Sequence, residues 1–115
     1  YTWPEIAWVG PSEQFLTKTD TKLNIGKFPF RASGRSHARG DTEGFVKIIA
    51  ERDNDQILAV HILGANASEL ISEAVTAMEF GATSEDIART IHGHPTLSES
   101  MHEAALATLG KSIHY

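Results

Sequence analysis

The sequence predicts an α+β fold, an antiparallel sheet with helices packed on one face as a two-layer sandwich. Two hydrophobic runs, 45–50 and 57–63, flank Asp53-Asn54-Asp55 as a hairpin would. Three helical patterns follow from residue 67 onward, and strands segregated ahead of helices in this way mark the α+β class. With 115 residues the chain makes one domain, large enough for a core that buries about two thirds of its unfolded surface.

The elements are expected in the following order. Glu5-Ile6-Ala7-Trp8-Val9 has the aromatic and branched residues of a strand, stopped by Gly10-Pro11. Ser12 caps a short helix over 13–18 with Phe15 and Leu16 on one side, and Asp20-Thr21 ends it. Lys22-Leu23-Asn24-Ile25 alternates as a half-buried strand, which Phe28-Pro29-Phe30 ends. Because Pro29 cannot donate to a ladder, this piece belongs at an edge or a strand end. Residues 31–41 are small, polar and basic, with Arg31, Arg35, Arg39 and His37, and read as a solvated loop or an irregular helical turn.

In the hairpin, His61 sits in a mostly apolar strand, where a packed, hydrogen-bonded histidine is the plain reading. A helix over 67–80 places Leu70, Ile71, Ala74, Val75 and Met78 on one apolar face, with Gly81 as its left-handed cap. Thr83-Ser84-Glu85-Asp86 is a capping-box pattern for a short helix through Arg89. The last helix opens near Leu97 and runs to Leu109, closed by Gly110, and its alanines at 104, 105 and 107 permit close approach of another backbone. Lys111 to Tyr115 show no periodicity and read as a tail.

Composition narrows the function. A net charge of -5 leaves no electrostatic footprint for nucleic acid. No apolar run approaches the ~20 residues of a membrane span. No glycine-rich loop follows a strand in the pattern that cradles a dinucleotide pyrophosphate. The sequence has no cysteine, so it holds neither a redox-active thiol pair nor a disulfide.

The chemistry concentrates in His92-Gly93-His94-Pro95-Thr96-Leu97-Ser98-Glu99. Thr96 and Glu99 have capping-box spacing, which sets His94 at the mouth of the last helix with Glu99 able to reach back to it. A carboxylate on one ring nitrogen fixes the tautomer and leaves the other nitrogen able to take a proton. The plain alternative is a cap and an ordinary loop histidine. His92-x-His94 with His102 also raises a zinc site, but Leu106 stands where a zincin helix has its second histidine, so no metal ligand set is assigned.

This run, together with YTWPEIAWVG at 1–10, GKFPF at 26–30, GDTEGFVK at 40–47 and GATSEDIARTIHGHPTLSE at 81–99, resembles the interface domain of the dihydrolipoamide dehydrogenases. These belong to the flavin-dependent pyridine nucleotide disulfide oxidoreductases. The resemblance covers essentially residues 1–115, in order, and departs from the usual pattern at Gly93, where the family has Ala. It implies an enzyme fragment, inert alone, whose FAD- and NAD-binding domains and cysteine pair lie outside this chain. The abrupt start at Tyr1 reads the same way. It further implies a homodimer in which His94 and Glu99 serve as the acid/base pair of the partner's active site, acting on dihydrolipoamide. The His94-Pro95 backbone would lie against the flavin across a cis peptide, with His92 pointing elsewhere. No cofactor is expected on the isolated domain. The location implied is the cytoplasm, or the mitochondrial matrix in a eukaryote. A second reading makes the domain a module for self-association and for docking the subunit-binding domain of a 2-oxo acid dehydrogenase acyltransferase, or the interface domain of a related disulfide reductase. Glu79, a carboxylate tolerated at a helix C-terminus against the dipole, is the residue singled out for that contact.

Overall fold

The computed structural model describes residues 3–110. The expected tail at 111–115 and the first two residues lie outside the described residues. Four antiparallel strands, β1 (Glu5–Val9), β2 (Leu23–Pro29), β3 (Phe45–Glu51) and β4 (Ile57–Gly64), form one sheet in the order β1-β4-β3-β2. The hairpin β3-β4 is thus the centre of the sheet, in register as Lys47↔His61 and Ile48↔Val60, with a shift at Ile49/Ala50. β2 is an edge strand and Pro29 is its last residue, where a missing N–H costs no ladder bond.

Period-two alternation divides the sheet into two faces. Val46, Ile48, Val60 and Ile62 are fully buried on one face, against Ala67, Ala74, Met101, Ala104 and Ala105. The helices on that side are α3 (Ala67–Glu79) and α5 (Glu99–Thr108), so the α+β expectation holds. A small helix, α1 (Glu13–Lys18), lies on the opposite face, where Leu16 packs on Ile49 and Ala59. Ser12 caps it by accepting the Phe15 N–H at 3.1 Å. Phe15 does not join Leu16 inside but stays 58% exposed, because a six-residue helix lying flat can bury only its sheet-facing side.

Two helical segments differ from expectation in extent. Phe30–Ala32 makes one turn of 3-10 helix, and Gly34–Arg39 forms the regular helix α2, in the stretch expected to be a loop or an irregular turn of helix. Ser33 accepts the Ser36 N–H at its start and Gly40, at φ 76°, closes it. In α3, Val75 leaves the expected apolar face and is 46% exposed, since the sheet contacts the helix on the side of Ala67 and Ala74. Asn66 gives that helix no side-chain cap. Glu5 of β1 supplies one instead, accepting the Ser68 N–H at 3.0 Å and the Ser68 hydroxyl, and these bonds hold the Glu5 carboxyl below its ordinary pKa.

The seating of α5 on β2 depends on Gly26. A Cβ there would stand 2.2 Å from the Ala104 carbonyl oxygen and 2.2 Å from Thr108 Oγ1, so only glycine lets the helix come this close. This contact places the N-terminus of α5, and with it Glu99, at one end of the sheet. The short helix α4 (Ser84–Arg89) packs against α5 and carries the Thr83–Asp86 capping box in full. Its start is also tied to the hairpin turn, since Asp55 Oδ2 accepts the Glu85 N–H at 2.8 Å and Oδ1 accepts the Ser84 hydroxyl.

A candidate acid/base pair at the mouth of the last helix

The loop between α4 and α5 is closed by its own polar groups. Thr90 ends α4 with its N–H donated to the Ile87 carbonyl at 3.1 Å, and the Thr96 hydroxyl donates to the Gly93 carbonyl at 2.6 Å. The His94–Pro95 peptide is cis, as expected, and so is Trp3–Pro4. The helix itself begins at Glu99, two residues later than its sequence pattern suggested, with Ser98 at the cap position. Only half of the expected capping box forms. Glu99 Oε1 accepts the Thr96 N–H at 3.0 Å, but the Thr96 hydroxyl only donates to Gly93 and accepts no helix N–H. Gly93 itself needs no special freedom. A Cβ there would meet only Thr96 Cγ2 at 3.4 Å, so the alanine usual in the resembling family fits this loop as well.

Glu99 turns back across the loop, and His94 Nδ1 lies 2.9 Å from each of its carboxylate oxygens. With an acceptor at that distance Nδ1 carries a proton, which leaves Nε2 as the nitrogen that exchanges one. Nε2 makes no hydrogen bond among the described residues. The His94 side chain is 73% exposed and that of Glu99 21%. The imidazole thus stands in the open while its orienting carboxylate is half-buried and fixed by a backbone N–H. Beside the pair opens a cavity of about 270 Å³, walled by Phe28, Ala32, Ser33 and Gly34 on one side and by His94, Glu99, Ser100 and Glu103 on the other.

His92 points elsewhere, as expected from its lack of a carboxylate five residues on. Its Nε2 lies 2.7 Å from Glu73 Oε2 on α3, its Nδ1 lies 2.9 Å from the Thr90 carbonyl, and its ring stacks on His102 at 5.2 Å. The hydrogen bond to Glu73 is the main force raising the His92 pKa, with partial burial opposing it. Glu73 is the residue that reasoning from spacing missed, since it comes from a different helix. His102 donates from Nε2 to the Ala88 carbonyl at 2.9 Å, so the third histidine of the zinc reading is committed to the backbone. Among the described residues no group of three or more His, Asp or Glu converges to hold a metal ion.

Two other residues singled out from their sequence positions find plain surroundings. His61 is half-buried on the outer face of the sheet, where burial pushes its pKa down, Lys47 adds to that and the Pro11 carbonyl opposes it. Glu79 is the last residue of α3 and lies on the surface beside Phe80, which is 84% exposed. For a cofactor, the fit is limited to an edge contact. His94 and Pro95 are exposed and can present their backbone to a flat ring, but among the described residues no glycine loop opens a helix as a dinucleotide cradle would. No helix among them is long and apolar enough to cross a membrane.

Residues 1–105 match the pyridine nucleotide-disulphide oxidoreductase dimerisation domain. The chain belongs to this family. Full-length curated relatives of the dimerisation domain include a dihydrolipoamide dehydrogenase of Chaetomium thermophilum, 54% identical over 100% of this chain, and a mitochondrial dihydrolipoyl dehydrogenase of Dictyostelium discoideum, 56% identical over 99% of it. The chain spans about 23% of the length of each. Among solved structures, LpdA of Mycobacterium tuberculosis superposes with a TM-score of 0.85 at 30% identity, over 91% of this chain and 23% of that one. The HOCl-induced flavoprotein disulfide reductase RclA of Escherichia coli, at 23% identity and the same TM-score, shares the fold of the dimerisation domain.

Proposed function

We propose that residues 1–115 are the interface domain of a dihydrolipoamide dehydrogenase, and that each domain lends His94 and Glu99 to the active site of the partner subunit in a homodimer. One observation carries this reading: a histidine 73% exposed, with Nδ1 held 2.9 Å from both oxygens of a half-buried carboxylate. That is a base with its orienter and no redox centre beside it, because the sequence has no cysteine. A base so exposed serves a substrate and an oxidant brought by another surface.

In this reading His94 Nε2 takes the proton of one dihydrolipoamide thiol, and Glu99 stabilises the imidazolium formed. The thiolate, which is the competent nucleophile, attacks one sulfur of a cysteine disulfide in the partner subunit and expels the other cysteine as a thiolate. The second substrate thiol, its proton passing to the cysteine thiolate already expelled, then attacks the substrate sulfur of the mixed disulfide and expels the remaining cysteine as a thiolate. Lipoamide leaves as a ring disulfide, and its two electrons remain on the cysteine pair. FAD, when bound, would supply two-electron acceptance between the cysteine pair and NAD. This chain's part toward the flavin is confined to the His94-Pro95 backbone at the ring edge.

Docking is proposed as a second task of the same domain. Glu79, exposed at the end of α3, would pair with a basic side chain of an acyltransferase subunit-binding domain. The relatives named mitochondrial support a place in the mitochondrial matrix if the source is eukaryotic, and in the cytoplasm otherwise.

The test of the acid/base role is His94→Gln in the full-length enzyme. Turnover with dihydrolipoamide should fall by on the order of 10² or more, the contribution of a positioned base. Near-normal turnover at neutral pH would remove His94 from the chemistry.

A further inference from the structure

We propose that His92 and Glu73 form a protonated clamp that positions the loop of His94, so that Glu73 on α3 is a positioning residue for the acid/base pair. The inference rests on the reading of His94 and Glu99 given above and goes beyond it to a second pair that the reaction does not touch.

The hydrogen bonds at the ring decide its charge. His92 Nδ1 faces the Thr90 carbonyl at 2.9 Å and Nε2 faces the Glu73 carboxylate at 2.7 Å. Both partners are acceptors only. A neutral imidazole has one N–H and one lone pair, so either tautomer would turn a lone pair toward an oxygen. The ring satisfies both partners only as the imidazolium. Burial sharpens the demand, since the His92 side chain is 6% exposed and water cannot replace a lost bond.

The groups that face His92 come from three elements. From α3 the facing group is Glu73. From α5 come His102, stacked on the ring, and Glu99, whose charge favours the same protonated form. From the end of α4 come the Thr90 carbonyl and, through His102, that of Ala88. Asp86 lines the same groove as Glu73, but its carboxylate accepts the Thr83 N–H at 2.9 Å within its own cap.

The consequence for the site is mechanical. The clamp fastens the chain at Thr90 and His92 to α3, the Thr96 hydroxyl fastens it at Gly93, and Glu99 fastens it from α5. His94 stands between these three attachments. Deprotonation of His92 breaks one of its two bonds and frees the upstream side of the loop. Because the Glu73 hydrogen bond raises the His92 pKa, the clamp persists above the ordinary histidine value and fails as the pH rises through the raised one.

The experiment compares pH profiles of dihydrolipoamide turnover for full-length enzyme carrying Glu73→Gln, Glu73→Asp, His92→Gln or His94→Gln. Glu73→Gln should lower turnover about tenfold, as a misplaced base does. It should also move the alkaline fall-off to lower pH, since His92 then loses its proton more readily. Glu73→Asp should recover most of the rate and move the fall-off less. If Glu73→Gln does not fold, that smaller movement in Glu73→Asp decides the matter. His92→Gln should lower the rate and remove the His92 step from the alkaline limb. A loss that scales the whole profile without moving it would make the pair a fold support only and overturn the inference. So would an unchanged rate. If His94→Gln keeps its turnover, the functional reading itself fails. If His94→Gln loses it while the Glu73 profiles stay in place, only the clamp fails.

Discussion

Two histidine-carboxylate pairs lie two residues apart in one loop, and their surroundings give them opposite characters. His92 is 6% exposed with both ring nitrogens bonded, whereas His94 is 73% exposed with one nitrogen held by Glu99. A histidine tied at both nitrogens has nothing left to offer a substrate, but it can hold a chain in place. One tied at a single nitrogen keeps a fixed orientation and a working lone pair. Counting bonded nitrogens therefore separates the structural pair from the chemical one, where residue type and motif membership do not.

The comparison breaks first if the two histidines can be exchanged in role. His94→Gln should abolish the greater part of turnover, by on the order of 10², and leave thermal stability nearly unchanged because the ring is exposed. His92→Gln should lower turnover less than His94→Gln does and cost on the order of 1–3 kcal/mol of stability, the range for a charge-assisted bond left unmade. Denaturant unfolding of both variants, set beside their turnover, checks the split. Equal stability losses would merge the two pairs into one.

A smaller effect is expected from Glu99→Gln. The amide oxygen can still accept the Thr96 N–H, so the loop survives while the charge that stabilises the imidazolium is lost. Turnover should fall about tenfold, less than for loss of the base, and steady-state kinetics will show whether it does.

Stability against pH sharpens the contrast further. The His92 pKa is raised in the folded chain, so its contribution is fully present below the ordinary histidine value and is lost as pH rises through the folded one. Unfolding midpoints from neutral to alkaline pH should show this loss, and Glu73→Gln should erase it. A slope that persists in Glu73→Gln would mean that another group carries it.

The smallest effect lies away from both pairs. Glu79→Gln should slow association with an acyltransferase subunit-binding domain at low ionic strength and leave turnover on free dihydrolipoamide intact, because an exposed charge steers more than it binds. Unchanged association kinetics would leave Glu79 as ordinary surface.

The sequence already carried the fold class, the central hairpin, the caps at Ser12, Thr83 and Gly81, and the His94–Glu99 pairing. Each of these is local, set by residues within a few positions of one another. Glu73 was not legible because its bond to His92 spans nineteen residues and depends on how α3 lies against the loop. Val75 and Phe15 were misplaced for a related reason. Periodicity marks an apolar face, but only the neighbouring layer decides how much of that face is covered. In α2 the signals were present as Ser33 and Gly40, and small polar composition concealed them. At Thr96 only the carboxylate half of the capping pattern formed, because the helix starts at Glu99 and the Thr96 hydroxyl, which donates to the Gly93 carbonyl, accepts no helix N–H.

The central claim is that the His94–Glu99 pair works across the dimer, and hybrid dimers test it most directly. Full-length subunits carrying His94→Gln with an intact cysteine pair are combined with subunits that keep His94 but lack the redox cysteines. Each homodimer should be inactive. If His94 serves the partner, every hybrid holds one complete site and should recover about half of the wild-type turnover, as two-fold symmetry requires. Hybrids that remain inactive would place His94 in its own subunit's site, or in none, and would contradict the account.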